Sequence, residues 1–389
     1  MRPKKRIALV MQELVQPTEQ EFIYSGGDRY TRDLARLIRD LGMEPVIFQR
    51  SMKRLLKEGP DGRMLPVLNS HREPMTEFFR TEWEGFQVVA LPSENGPDFN
   101  LDVAQNTQEF DATVFFHINL AYPRCHKRSV SISHGIWFDH PKMMNEVNWE
   151  KSRNQMAAAL SCVDHVVSVD TNSINFFGGL YGGRFTEKFI LIPNAVDTST
   201  YKPAPEKRDS NRVRVLYPRR HEILRGSTEM ERTAEYLHGK YKHVDIHFCG
   251  SAHSKDREDA LKQWLSGYER IQWYRKSFDE MPQVYQEADI AVIPTIGCEG
   301  TSLSLAESMA CGLPVVATYI GGLSEMVIDG FNGIKVAPTL DEIKNAVDYL
   351  VRNPDERTRM GKNARLVAER FNIEKWQRKW GDLLKDLVR

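Results

Sequence analysis

Short apolar runs rich in β-branched residues recur along this chain, and longer stretches of helical periodicity separate most of them. In the first half the runs are "IALVM", "PVIF", "FQVVAL", "ATVFFHI", "RSVSIS", "HVVSV" and "KFILIPN"; in the second they are "VRVLYP", "VDIHFCG", "RIQWY", "IAVIPT", "PVVAT" and "NGIKV". Strands this continuously apolar are covered on both faces, and the intervening helices are the covers. The alternation therefore predicts α/β architecture with parallel, doubly wound sheets. One stretch breaks the pattern: "VDTSTYKPAPEKRDSN" is polar, carries two prolines and lacks apolar periodicity, as a linker does. Two doubly wound, Rossmann-like domains follow, spanning 1–200 and 201–370. The last segment, 371–389, puts Ile373, Trp376, Trp380, Leu383 and Leu384 on one helical face. Residues 50–82 are basic and irregular and take no element assignment.

The chain's 389 residues independently suggest roughly two to three domains. Lys plus Arg and Asp plus Glu balance at 53 each, so no global field recruits nucleic acid or an anionic membrane. The five cysteines, Cys125, Cys162, Cys249, Cys298 and Cys311, are odd in number, widely spaced and without a C-x-x-C pair. That argues against a disulfide framework and a zinc site, and for a reducing compartment. The opening "MRPKKRIALVMQELVQ" has basic residues before an apolar run, but the run stops at Met11, short of a signal peptide's core. It reads as a first buried strand. No apolar stretch is long enough to span a bilayer. The expectation is a cytoplasmic protein, with peripheral contact at the inner face of the membrane as the alternative.

In doubly wound sheets ligands sit beyond the carboxyl ends of strands. After the first strand, "SGGDRYTRDLARLIRDLG" places Leu34, Leu37, Ile38 and Leu41 at helical spacing, with Gly26 and Gly27 just before the helix. Glycines there either let backbone N–H groups approach an anion at the positive end of the helix or simply make a tight turn. In the second domain "YPRRHEILRGSTEM" clusters Arg219, Arg220 and Arg225 between a strand end and a helix. Guanidinium forks suit phosphate oxygens; a solvated basic loop is the competing reading. The stretch "GCEGTSLSLAESMACGLPVVAT" then predicts a short helix over 302–311 stopped by Gly312 and Pro314. Glu299 lies before it and Glu307 about two turns in. The N–H groups of Gly300, Thr301, Ser302 and Leu303 form a second anion cradle. A capping box from Ser304 to Glu307 is the structural alternative, although the helix would then be barely two turns long. A cradle flanked by carboxylates suits a diphosphate with hydroxyl-rich sugars at its ends, the layout of a sugar nucleotide.

"EGTSLSLAESMACGLPVVAT" followed by "GGLSEMVIDGFNGIKV" resembles the donor-site signature of retaining glycosyltransferase family 4, whose members share the two-domain GT-B fold. "SGGDRYTRDLARLIRDLG" is similar to the family's glycine-rich first loop, "IPNAVDTSTYKP" to its interdomain stretch and "EADIAVIPT" to the strand before the paired glutamates. Ordered matches run from about Ile7 to Val336. The resemblance implies that Glu299 lies against the transferred sugar with the amides after it, and that Glu307 holds the nucleotide ribose. Arg220 and Arg225 have the spacing of the family's diphosphate-binding Arg and Lys, and His134 in "SISHG" falls where the family often carries a histidine near the donor sugar. His117 reads as structural. Tyr217 and Pro218 stand where the family usually shows glycine, Arg225 replaces lysine and Ala195 replaces glycine. The first two departures leave the phosphate role open between Arg219 and Arg220.

The activity so implied is retaining transfer of a hexosyl group from a nucleotide diphosphate sugar to an acceptor hydroxyl of a glycan or glycolipid. The nucleotide sugar is a co-substrate; with no Asp-x-Asp, no cofactor or metal is expected. UDP-sugar is preferred as the commoner donor, with GDP-mannose the runner-up. Same-face attack and a covalent intermediate both remain open. A GT-B-fold epimerase or phosphorylase and a non-catalytic sugar-nucleotide sensor are the competing functions; a nicotinamide dehydrogenase lacks support because no G-x-G-x-x-G follows the first strand. The family's last helix crosses back to the first domain. That domain reads the acceptor, and "RSMKRLLK" and "HREPMTEFFRTEW" interleave basic with apolar residues, either as a membrane-docking surface for lipid-linked acceptors or as a solvated face.

Overall fold

Every apolar run named above forms a strand. The computed structural model describes residues 3–14, 26–51, 53–58, 64–68, 75–93, 96–124, 126, 128–136, 149–206, 211–252 and 254–389. The first sheet contains β1 (Arg6–Val10), β2 (Glu44–Arg50), β5 (Phe79–Trp83), β6 (Phe86–Leu91), β7 (Ala112–Phe115), β8 (Ser129–Ser133), β9 (His165–Ser168) and β10 (Phe189–Leu191). Its order is β10-β9-β8-β7-β1-β2-β6-β5, parallel except for β5. Between β2 and β5, β3 (Leu56–Glu58) and β4 (Met64–Pro66) make a separate antiparallel pair.

The second sheet is built from β11 (Val213–Tyr217), β12 (Val244–Cys249), β13 (Ile271–Tyr274), β14 (Ile290–Ile293), β15 (Val315–Thr318) and β16 (Gly333–Val336). It is all parallel, in the order β13-β12-β11-β14-β15-β16. Successive side chains of β1 show why both faces must be covered: Ile7 and Leu9 enter one core and Ala8 and Val10 the opposite one.

Strand order locates the ligand-binding crevices. It reverses between β11 and β14 in the second sheet and between β1 and β7 in the first, and such reversal points open a gap between helices that leave in opposite directions. Arg219 follows β11, Glu299 follows β14, and the first helix, Gly26–Asp40, follows β1. The two reversal points face each other.

The chain crosses between the domains twice, side by side. Val196 N–H donates to Phe371 O at 2.9 Å, and Ile373 N–H donates to Val196 O at 3.0 Å. The polar stretch expected to be a linker is therefore pinned, with Val196 and Tyr201 both buried. Beyond the second crossing the last helix, Ile373–Leu387, buries Trp376, Trp380 and Leu384 in the same core as Leu34 and Ile38 of the first helix. Among the described residues no helix is long and apolar enough to cross a membrane.

Candidate functional site

The helix after β14 runs from Leu303 to Ala310, with Ser302 as its N-cap and Gly312 at φ 78°, a left-handed turn suited to glycine just past its end. Ser302 and Leu303 thus have N–H groups with no acceptor within the helix. Ahead of them, Cys298 takes a left-handed φ of 62°, unusual for a side chain larger than glycine, and its carbonyl accepts from Arg225 Nη1 at 2.7 Å.

The Glu299 carboxylate, 8 % exposed, is drawn into this turn. Its Oε2 accepts from Arg219 Nη2, from Arg225 Nη1 at 2.9 Å and from Thr295 Oγ1 at 3.0 Å. Burial opposes its charge, but the two guanidinium groups outweigh it and hold the carboxyl below the ordinary glutamate range, so it is ionised. Arg219 Nη1 also donates to Ser302 Oγ at 2.5 Å and Ser304 Oγ at 3.1 Å, binding the arginine loop to the helix start.

Two arginines converge here, and they are Arg219 and Arg225. Arg220 is not brought in: its side chain is 48 % exposed and, among the described residues, its ion-pair partner is Glu222, at 3.6 Å. The side chain that reaches this turn is that of Arg219 rather than Arg220, for a local reason. Tyr217 is fully buried under the loop, and its hydroxyl lies 3.0 Å from Arg220 O and 3.1 Å from Arg225 O, fixing the backbone so that Arg219 points inward. Behind it Arg257 donates to His221 Nδ1 at 3.2 Å and to Glu231 at 2.7 Å, a second brace.

Glu307 is the fifth residue of its helix, just over one turn in rather than about two. No capping box forms. Its Oε1 accepts from Arg29 Nη1 and its Oε2 from the Tyr285 hydroxyl at 2.8 Å. Arg29 belongs to the first helix, so this buried ion pair joins the two domains; Tyr201 O–H lies 3.3 Å from the same Nη1. Burial disfavours the Arg29 charge, but Glu307 and then Tyr201 and Asp33 outweigh it and raise its pKa, so it stays cationic. Burial and Glu307 both push the Tyr285 hydroxyl well up, which keeps it a donor.

Other contacts close the cleft. Thr301 Oγ1 donates to Val169 O at 2.8 Å and accepts from Asn194 N–H at 3.0 Å, and Asn194 Nδ2 donates to Thr301 O. Thr171 Oγ1 donates to Glu325 Oε1 at 2.7 Å. Gly135 and Gly300 meet backbone to backbone: a Cβ on Gly135 would lie 2.7 Å from Gly300 N, and one on Gly300 would lie 2.6 Å from His134 O. Gly26 and Gly27 open the first helix instead of preceding it, and a Cβ on Gly26 would stand 3.3 Å from Leu303 Cδ1. Two helix starts therefore converge, and their partial positive charges suit an anion between them.

His134 packs against Phe116, Tyr30 and His117, with ring centroids 4.2, 5.2 and 5.5 Å away. Burial, and then His117, push its pKa well below the usual histidine value, so the ring is neutral. Its Nε2 is buried with no hydrogen bond among the described residues. Tyr30 links this ring to the last helix, its hydroxyl accepting from Trp380 Nε1 at 2.9 Å. Among the described residues no three His, Cys, Asp or Glu side chains gather as metal ligands.

Arg29, Tyr201, Tyr285, Asn194 and Thr295 join the site with no motif in the sequence that singles them out. Arg29 and Glu307 are 278 residues apart, and pairing across a cleft leaves no local spacing to read. An arginine beside Tyr30 at the start of an apolar helical stripe is the one sign the sequence carries.

Residues 201–367 match the family model described as glycosyl transferases group 1. The uncharacterized glycosyltransferase MJ1178 of Methanocaldococcus jannaschii is 31% identical over 155 residues, 39% of this chain and 43% of that protein. A D-inositol 3-phosphate glycosyltransferase of Arthrobacter sp. is 28% identical over 201 residues, 48% of this chain and 47% of that protein. The chain thus spans less than half the length of these curated relatives. The crystal structure of Anabaena Alr3699/HepE in complex with UDP-glucose superposes with a TM-score of 0.72 at 18% identity, covering 98% of this chain and 99% of that one. The fold is the two-domain GT-B arrangement of glycosyltransferases.

Proposed function

We propose that this protein is a retaining glycosyltransferase of family 4 that transfers a hexosyl group from a nucleotide diphosphate sugar, UDP-sugar foremost, to an acceptor hydroxyl of a glycan or glycolipid. The observation that carries the reading is the convergence of Arg219, Arg225 and two helix starts on one cleft, with Glu299 beside them. In the proposed step the bond from the anomeric carbon to the diphosphate breaks, the acceptor oxygen bonds to that carbon from the same face, and the acceptor's proton passes to the departing phosphate oxygen. Charge grows on the diphosphate as the bond opens. Guanidinium groups and backbone N–H groups already aimed there stabilise that charge without reorganising, each contributing on the order of 10²–10³ in rate.

In this reading Glu299 keeps the two arginines oriented and accepts hydrogen bonds from the sugar hydroxyls. Glu307 exchanges Arg29 for the ribose hydroxyls, and neutral His134 faces the donor sugar. Residues 1–200 take the acceptor, 201–370 the donor, and 371–389 tie the donor half back to the acceptor half. The chemistry needs no metal, because fixed cations already meet the diphosphate. Support for the overall class comes from the family match across 201–367 and the GT-B fold.

The test is an acceptor-dependent assay with UDP-glucose, UDP-GlcNAc, UDP-galactose and GDP-mannose, with and without EDTA. The expected result is release of free UDP only when an acceptor is present, unchanged by EDTA, with an α-linked product by NMR. Turnover without acceptor would point to an epimerase, and GDP release would move the donor to GDP-mannose. Flotation with anionic vesicles tests the proposed peripheral contact of the first domain; no co-flotation removes it.

A further inference from the structure

Among the described residues the first sheet ends in an open edge. β5, "FRTEW", pairs with β6 on one side only, and the turn joining them has Glu84 at φ 53° and Gly85 at φ 76°, a two-residue hairpin turn with both central residues left-handed. In such a hairpin the flanking residues, Trp83 and Phe86, exchange both hydrogen bonds, and bonding pairs then alternate along the strand. Phe79, Thr81 and Trp83 therefore direct their N–H and C=O groups to β6, while those of Arg80 and Glu82 point out from the sheet. Arg80, Thr81 and Glu82 are all exposed. Neither Arg80 nor Glu82 makes an ion pair among the described residues; the Arg80 guanidinium lies over the Phe78 ring, 5.6 Å from its centroid.

Proteins usually blunt an exposed edge with proline, a bulge or charged side chains, lysine above all. β5 has no proline, and its exposed charges are one of each sign, Arg80 and Glu82, flanking a threonine, so they repel a second copy only in some registers. Only three antiparallel registers with a two-fold axis let the outward groups of two such strands bond. Centring on Arg80 opposes two arginines, and centring on Glu82 opposes two glutamates. Centring on Thr81 sets Arg80 opposite Glu82 on both sides of the axis, with four main-chain hydrogen bonds and two opposite-charge cross-strand pairs. The strand is self-complementary in one register alone.

We infer that β5 is a dimerisation edge, where a second copy of this chain adds antiparallel about Thr81 to make one continuous sheet through both molecules. The contact is isologous, so it closes on itself and does not propagate into fibres. The adjoining segment also needs cover: Leu56, Met64, Leu65, Leu68, Met75 and Phe78 are each 40–58 % exposed.

Sedimentation equilibrium on the full chain tests this with Arg80→Glu, Glu82→Arg and the double reversal. The wild type should dimerise, each single reversal should raise the dimer dissociation constant at least about tenfold, and the double reversal should return it to within about threefold of wild type. Circular dichroism melts confirm that all variants fold, as expected for exposed sites. A wild type that stays monomeric to about 100 µM, single reversals without effect, or a double reversal that fails to restore association would each overturn the inference.

Discussion

Glu299 and Glu307 lie eight residues apart around one helix start, and both are buried ionisable groups held by arginine, yet the two arrangements differ in kind. Glu299 takes its guanidinium partners from its own domain, on a loop pinned by Tyr217. Glu307 takes Arg29 from the other domain. The first cluster is complete in the second domain alone; the second exists only while the cleft is closed. The two carboxylates, one in the turn before the helix and one within it, thus face different partners: one the arginines of its own domain, the other an arginine of the opposite domain.

The sharpest way to break the comparison is to remove Glu307. Glu307→Ala strands Arg29 in a buried position, and losing one member of a buried ion pair costs about 3–5 kcal/mol, readable as a lower urea midpoint. Replacing both members, Arg29→Met with Glu307→Leu, should recover most of that loss; a double variant as unstable as the single would mean the pair is not the source. Small-angle scattering on Arg29→Met should show a more extended particle, a change that no substitution at Arg219 should produce.

Arg219→Ala attacks the other cluster. It should lower the turnover number by about 10²–10³ while leaving the scattering profile unchanged, since Arg219 makes no interdomain hydrogen bond among the described residues. A loss of compactness in this variant would merge the two roles. Gly135→Ala tests closure without touching either glutamate's charge: its Cβ would press on Gly300 and Glu299 backbone at 2.7–2.8 Å, at a φ of 107° that strains any side chain. Turnover should fall about 10²-fold, as for a misplacement of order 1 Å between reacting groups. Wild-type rates in that variant would show that the glycine contact is dispensable.

The smallest effect is on pH. Burial holds His134 neutral, and burial followed by Arg124 pushes His126 down to about 4. Unfolded histidines bind protons below about pH 6.5, and these folded ones do not, so stability is unaffected above that value and declines as pH falls below it. Chemical denaturation at pH 7.5 and 5 should show a smaller decline for His134→Asn than for wild type. Equal declines would remove His134 from the account.

The strands were readable because a parallel sheet covered on both faces demands continuous apolar runs, and "IAVI" or "VVAT" admits little else. β3, β4 and β5 escaped because they are antiparallel and largely exposed, so neither a continuous run nor clean alternation marks them. Glu299 stood out by its place between a strand and a helix start. Choosing between Arg219 and Arg220 required the Tyr217 hydroxyl, and Arg29 required the other domain; both are facts of packing at a distance.

The paired crossings at Val196 and Asn372 constrain how the cleft can open. A single tether lets two bodies swing, twist and slide relative to each other, whereas two backbone segments hydrogen-bonded side by side resist torsion and shear and leave bending as the soft coordinate. Opening then has essentially one degree of freedom. The separations Arg29–Glu307, Asn194–Thr301 and Thr171–Glu325 should rise and fall together, so a single spin-label distance across any one of them reports the state of the whole cleft.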